Sequence, residues 1–274
     1  MGVRRRLMAA NWKMHKLPSE AAPFVERVLD LLGQAGLVGQ GRRQEHGGEL
    51  APEVVFCPPF VALAAVREVL ARRGADGVFL GAQNLHWEVQ GAFTGEVSGP
   101  MLADAGCRYV IVGHSERRHL FGETDEQVAR KVRAALAAGL VPIVCVGETL
   151  HERRQDRTEE VVGRQLEAAL EGLAEEQVAG LVVAYEPVWA IGTGENATGQ
   201  EAARVIEQVL RACVRRRWGQ AAADRVRVLY GGSVTPENIG EFMARPEIDG
   251  ALVGGASLVA ERFVAIAAAG RRGQ

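Results

Sequence analysis

Residues 109–146 read YVIVGHSERRHLFGETDEQVARKVRAALAAGLVPIVCV. The two ends, 109–113 and 142–146, are short, apolar and β-branched, the pattern of strands covered on both faces. Between them, 125–138 carries an Ala/Leu/Glu/Arg-rich helical pattern. One such strand–helix–strand step implies parallel neighbours joined by a helical crossover.

The same step repeats along the chain. Strands are expected at 7–11, 54–57, 77–82, 109–113, 142–146, 181–185, 226–230 and 251–253. Helices are expected at 19–32, 60–73, 100–105, 125–138, 159–173, 200–218, 236–243 and 256–268. Eight units within 274 residues match the size of a closed (β/α)8 barrel, an α/β fold in a single domain. A doubly wound open sheet would usually carry a Gly-rich turn after its first strand. Here that strand runs into Asn11-Trp12-Lys13-Met14-His15, with no glycine. Residues 33–50 break the pattern, with six glycines among charged residues and no period. They are expected to be a mobile insertion at the barrel's N-terminal face, away from chemistry. They mark no domain boundary, because the alternation resumes in phase at Val54.

Composition narrows the function. Hydrophobic residues make up 47% of the chain, enough for one large core, and the formal net charge is -2. No basic excess points to nucleic acid, and no apolar run approaches the ~20 residues of a membrane span. Cys57, Cys107, Cys145 and Cys213 are widely spaced without a CxxC pair, which indicates neither a metal site nor a disulfide framework. A soluble cytoplasmic protein is the expectation. Only three of the 32 basic residues are lysines: Lys13, Lys16 and Lys131.

In a barrel, the residues just past each strand's C-terminal end face one pocket. Asn11 and Lys13 follow the first strand. His114 follows the fourth, within Gly113-His114-Ser115-Glu116. Glu186 follows the sixth, and Gly231-Gly232-Ser233 and Gly254-Gly255 follow the seventh and eighth. Singly, each has an ordinary explanation, such as a surface lysine, a structural histidine or a tight turn. Together they put a base, an imidazole, a cation and an anion cradle at one mouth. Paired glycines let backbone N–H groups approach an anion, and a helix beginning near Ala256 would add partial positive charge. After Glu186, the apolar Val188-Trp189-Ala190-Ile191 followed by Gly192-Thr193-Gly194 has the make-up of a lid, whose glycine N–H could reach a phosphate.

At these residues the chain resembles the triosephosphate isomerase family. The segments 11–14, 91–96, 113–118, 184–194, 230–233 and 253–257 occur in the family's order across nearly the whole chain. Residues 33–50 depart from it, as does Glu195-Asn196-Ala197 at the lid's far end. The resemblance implies a cofactor-free TIM-barrel enzyme, with no metal, that interconverts dihydroxyacetone phosphate and glyceraldehyde 3-phosphate. It implies Glu186 as general base, His114 as neutral electrophile, and Lys13 and Asn11 as oxyanion and phosphate donors. Gly192, Ser233, Gly254 and Gly255 would hold the phosphate. Glu116 is either a supporting catalytic group or a salt-bridge partner of Lys13, Arg117 or Arg118. By the same resemblance, residues 91–96 project into a second subunit of a homodimer and place Thr94 at the partner's site. Two other functions remain open on the residues alone. One is a Schiff-base, aldolase-like barrel using Lys13, although a neighbouring phosphate favours the ammonium over the free amine. The other is a catalytically silent sugar-phosphate binding protein.

Overall fold

A computed structural model describes residues 4–38, 49–191 and 197–273. Eight strands form a closed parallel barrel: β1 (Leu7–Asn11), β2 (Glu53–Cys57), β3 (Val78–Ala82), β4 (Cys107–Val112), β5 (Val141–Val146), β6 (Val182–Tyr185), β7 (Arg227–Tyr230) and β8 (Gly250–Val253). Each strand pairs with its successor, and β8 closes on β1 with Leu7 opposite Gly250. At Gly250 a Cβ would sit 1.9 Å from the Leu7 carbonyl oxygen, so the seam closes only with glycine there.

Alternation along the strands divides the core in two. One set, including Leu7, Ala9, Val55, Ile111, Ile143 and Leu229, fills the barrel interior. The other set points outward and packs under the helices. At the interior's N-terminal end a polar group replaces the aliphatic filling. There Tyr109 donates to Glu53 at 2.6 Å, and Arg227 donates to both, at 2.6 Å to Glu53 and 3.1 Å to Tyr109.

The helices are more divided than the sequence pattern implies. Short helices at Ser115–Leu120, Leu150–Arg154, Glu175–Gly180 and Gln220–Arg225 add to the one-per-strand set. The expected single helix over 200–218 contains a π-helical stretch, Ile206–Arg211, between two α-helical pieces. The wider turn ends at the buried Arg211, whose guanidinium meets Asp249 at 2.7 Å and the carbonyl oxygens of Ala223, Val226 and Glu247.

The irregular stretch 33–50 is anchored at both ends. The helix Pro18–Gln34 runs into it and stops before Gly36, at φ +65°, where Leu37 N–H reaches back to Leu32 O. Its last two residues, Glu49–Leu50, pair antiparallel with Arg272–Gly273 near the chain's end. Its centre, 39–48, lies outside the described residues, and with it the expectation of mobility.

The three lysines all have partners. Lys13 pairs with Glu116. Lys16 sits 3.7 Å over the Phe24 ring and donates to Leu258 O. Lys131 is buried between Asn84 at 2.8 Å and Glu123 at 2.9 Å. Burial pulls the Lys131 ammonium below the ordinary lysine range, and Glu123 opposes the shift.

Candidate active site

The strand ends converge as their positions imply. Asn11 is the last residue of β1 and is buried. Its side-chain oxygen accepts from the Lys13 N–H at 3.0 Å, and Gln83 donates to the Lys13 carbonyl at 2.8 Å. Between these two bonds Lys13 holds φ at +52°, a left-handed conformation that costs a non-glycine residue on the order of 1–3 kcal/mol. That backbone directs the ammonium across the mouth, where it meets Glu116 Oε1 at 2.6 Å. Of the two roles open for Glu116, the salt bridge with Lys13 is therefore present.

His114 follows β4 and caps the helix Ser115–Leu120, its Nδ1 accepting from the Glu116 N–H at 3.2 Å. An amide N–H can only donate, so Nδ1 carries no proton. The ring is then the neutral tautomer with its hydrogen on Nε2. That Nε2 lies 3.1 Å from Glu186 Oε1. Glu186, just past β6, is 1% exposed, and its other carboxylate oxygen accepts from the Ser115 N–H at 2.9 Å. The carboxylate and imidazole meet at the mouth of one cavity.

That cavity measures about 410 Å³, and its far wall is the pair of turns after β7 and β8, including Ser233, Gly254 and Gly255. The turn after β7 needs glycine. A Cβ on Gly231 would come within 2.7 Å of Glu186 Cγ, and one on Gly232 within 2.2 Å of the Tyr230 hydroxyl. A short 3-10 helix, Gly255–Leu258, starts at this wall, with the Ser257 hydroxyl folded back on Gly254 O at 2.7 Å. One detail differs from the sequence expectation. The Ser233 N–H donates to Ala190 O at 3.0 Å, so here it serves the segment after Glu186 rather than an anion.

The segment after Glu186 begins with a single turn, Val188–Ala190, whose Trp189 and Ala190 are buried rather than exposed. The Trp189 indole N–H donates to Glu148 Oε1 at 3.0 Å. Gly192, Thr193 and Gly194, expected at the lid tip and phosphate, lie outside the described residues.

Comparison with known proteins agrees with this geometry. The triosephosphate isomerase family model matches residues 6–270. The chain belongs to the triosephosphate isomerase family. It is 55% identical to the triosephosphate isomerase of Symbiobacterium thermophilum over 267 residues, covering 97% of each chain. It is 53% identical to the triosephosphate isomerase of Moorella thermoacetica, over 96% of this chain and 98% of that one. The crystal structure of triosephosphate isomerase from Bartonella henselae superposes with a TM-score of 0.81 at 35% identity, covering 97% and 98% of the two chains.

Within this triosephosphate isomerase fold, sequence reasoning passed over Glu148. It lies two residues past β5, as Lys13 lies two past β1, so the strand-end rule that finds Lys13, His114 and Glu186 would have found it too. Glu148 is fully buried and receives the Tyr185 hydroxyl and the Trp189 indole. Burial pushes its carboxyl above the usual range, against those bonds and the nearby Arg153. Cys145 lies at the base of the site with its thiol pushed well up, by burial first and by Glu186 second, so it packs rather than reacts. Among the described residues no cluster of side chains has the make-up of a metal site, and no helix is long and apolar enough to cross a membrane.

Proposed function

We propose the following division of labour for the triose-phosphate isomerisation that this family carries out. Glu186 removes the proton from the carbon next to the substrate carbonyl and returns it to the neighbouring carbon. His114, through its Nε2–H, polarises the carbonyl and moves protons between the two oxygens of the enediolate. A carboxylate base with a neutral imidazole is the pair for which triosephosphate isomerases are the reference case. Lys13 supplies fixed positive charge beside the developing oxyanion, and Asn11 a neutral donor. Glu116 holds the Lys13 ammonium at the site. Backbone amides of Ser233, Gly254 and Gly255, with Gly192 from the lid, receive the phosphate.

Two bonds must change for turnover. Glu186 has to release the Ser115 N–H before it can reach a substrate carbon. Ser233 has to release Ala190 O before its N–H can reach a phosphate. Movement of the segment 188–190 frees Ser233, which couples phosphate capture to closure over the carboxylate.

The observation that carries this proposal is the 3.1 Å approach of Glu186 Oε1 to the protonated His114 nitrogen, beside a glycine-walled cavity. Glu186→Gln in a coupled isomerase assay tests it. The expected result is a loss of kcat on the order of 10²–10⁴-fold with substrate affinity mostly kept. Near-native turnover would remove Glu186 from the role. A Schiff-base function for Lys13 gains no support from an ammonium already paired with Glu116.

The assembly we propose is a homodimer. Residues 91–96 are all exposed, on a loop braced by the His86 and Phe93 rings at 4.4 Å. A second cavity of about 270 Å³ lies beside Asn11 and Lys13, rimmed by Met14, Phe60 and Phe121. Met14 is 93% exposed and Phe121 70%, unusual for apolar side chains beside an active site. Thr94 of a partner seated there would cover both this apolar rim and the Lys13 backbone. All four cysteines are free thiols, which fits a reducing compartment, so a cytoplasmic location is part of the proposal.

A further inference from the structure

Gly147 lies one residue past the end of β5, beyond the reach of the barrel ladder. Its peptide groups are nevertheless satisfied, both by one side chain. The Gly147 N–H donates to Gln165 Oε1 at 2.8 Å, and Gln165 Nε2 donates to Gly147 O at 3.2 Å. Gln165 comes from the helix Thr158–Leu170 and is 6% exposed. Its carboxamide acts as a substitute peptide that extends the strand by one residue.

The extension matters because of what rests on it. A Cβ on Gly147 would fall 1.7 Å from the Glu186 carbonyl oxygen, so the two backbones are in direct contact. The Glu186 N–H bonds to Val146 O at 2.8 Å on one side of Gly147, and the Val188 N–H bonds to Glu148 O at 3.0 Å on the other. The backbone carrying Glu186 is thus seated on the segment 146–148, and Gln165 fixes the middle of that seat.

We infer that Gln165 is a positioning residue that sets the backbone of Glu186, and through it the approach of the carboxylate to the substrate carbon. The inference rests on the proposal that Glu186 is the base. Gln165 lines neither of the two cavities at the barrel mouth, so it acts through Glu186 rather than on a bound ligand. Losing the clamp leaves two buried peptide groups without partners, which favours a shift of the segment. A displacement of about 1 Å at the reacting carboxylate costs on the order of 10²-fold in rate.

The test uses Gln165→Met, which keeps length and packing but removes both hydrogen bonds, and Gln165→Glu, which keeps an oxygen for the Gly147 N–H and loses the donor. Each is measured alone and together with Glu186→Gln. For Gln165→Met, kcat should fall by roughly 10- to 100-fold, with KM and the affinity for inorganic phosphate nearly unchanged. Gln165→Glu should fall in between. In the Glu186→Gln background neither change should cost anything more, because the group being aimed is already gone. A native kcat in folded Gln165→Met, or an equal loss in both backgrounds, overturns the inference. Native turnover by Glu186→Gln alone would instead overturn the base assignment. Should Gln165→Met fail to fold, the same comparison is made with Gln165→Glu.

Discussion

Gly147→Ala should disable catalysis while leaving the barrel assembled. The added methyl would lie 1.7 Å from Glu186 O and 2.5 Å from Glu186 C, both backbone atoms. Comfortable separation for such atoms is roughly 3.5 Å, so the strand ends must part by well over about 1 Å. No side-chain rotation relieves the clash, because no flexible side chain is involved. The movement falls on Glu186, the proposed base, and a misplacement of about 1 Å costs on the order of 10²-fold. Overpacking of this kind also destabilises by about 1–3 kcal/mol, which a large barrel tolerates. The coupled assay should therefore show kcat down by about 100-fold with KM little changed, and a thermal melt a few degrees lower. Gly163→Ala, in the same helix as Gln165, serves as control, since the nearest atom to its Cβ is 3.9 Å away. If Gly147→Ala kept more than half of native kcat, the contact between the segments 146–148 and 186 would not govern the base, and the argument would fail.

Gly163→Ala itself should leave kcat alone and stabilise the protein by up to about 1 kcal/mol, visible as a melting temperature raised by roughly 2–4 °C. Deleting residues 36–47, with the flanking ends joined by a short link, should leave kcat unchanged, because both described ends of this stretch lie at the barrel's N-terminal face. A marked drop would show that the insertion reaches the catalytic end or the dimer contact. Thr94→Arg should give a monomer by sedimentation with lowered kcat, and an active, dimeric variant would remove Thr94 from the interface. Acid stability should depend on Glu53. Burial alone would raise this carboxyl, but hydrogen bonds and charge from Tyr109 and Arg227 hold it below the ordinary value of 4.5. Between the folded and unfolded values the unfolded chain binds the extra proton, so Glu53's contribution is complete above pH 4.5 and is lost as pH falls through the folded value. Denaturant titrations of wild type and Glu53→Gln should thus converge as pH drops below that range.

The barrel was legible because it is written in periodicity. Buried parallel strands such as 142–146 must be apolar at every position, and the helices between them amphipathic, so each unit shows itself locally. The site was legible for a related reason. The fold delivers strand ends to one mouth, so Asn11, Lys13, His114 and Glu186 could be placed together without knowing any contact. What the sequence hid depends on contacts between distant elements. The Gln165 clamp on Gly147 is one such case, because no local pattern marks a helical glutamine as a peptide substitute. The π-helical stretch that ends at Arg211 is another, since Arg211 meets an aspartate 38 residues away. The hydrogen bond from Ser233 to Ala190 was also beyond reach, since it depends on how the segment after Glu186 lies.

The sparing use of lysine bears on the chemist's handling of this protein. With one ammonium bonded inside the catalytic mouth, one lying over an aromatic ring and one sealed in the interior, the folded surface offers almost no ordinary lysine to acylating reagents. Amine-directed tags, cross-linkers and resin couplings should therefore be driven toward Lys16, which is half-exposed and whose ammonium burial pulls below the ordinary lysine range, rather than toward the ion-paired Lys13 or the buried Lys131.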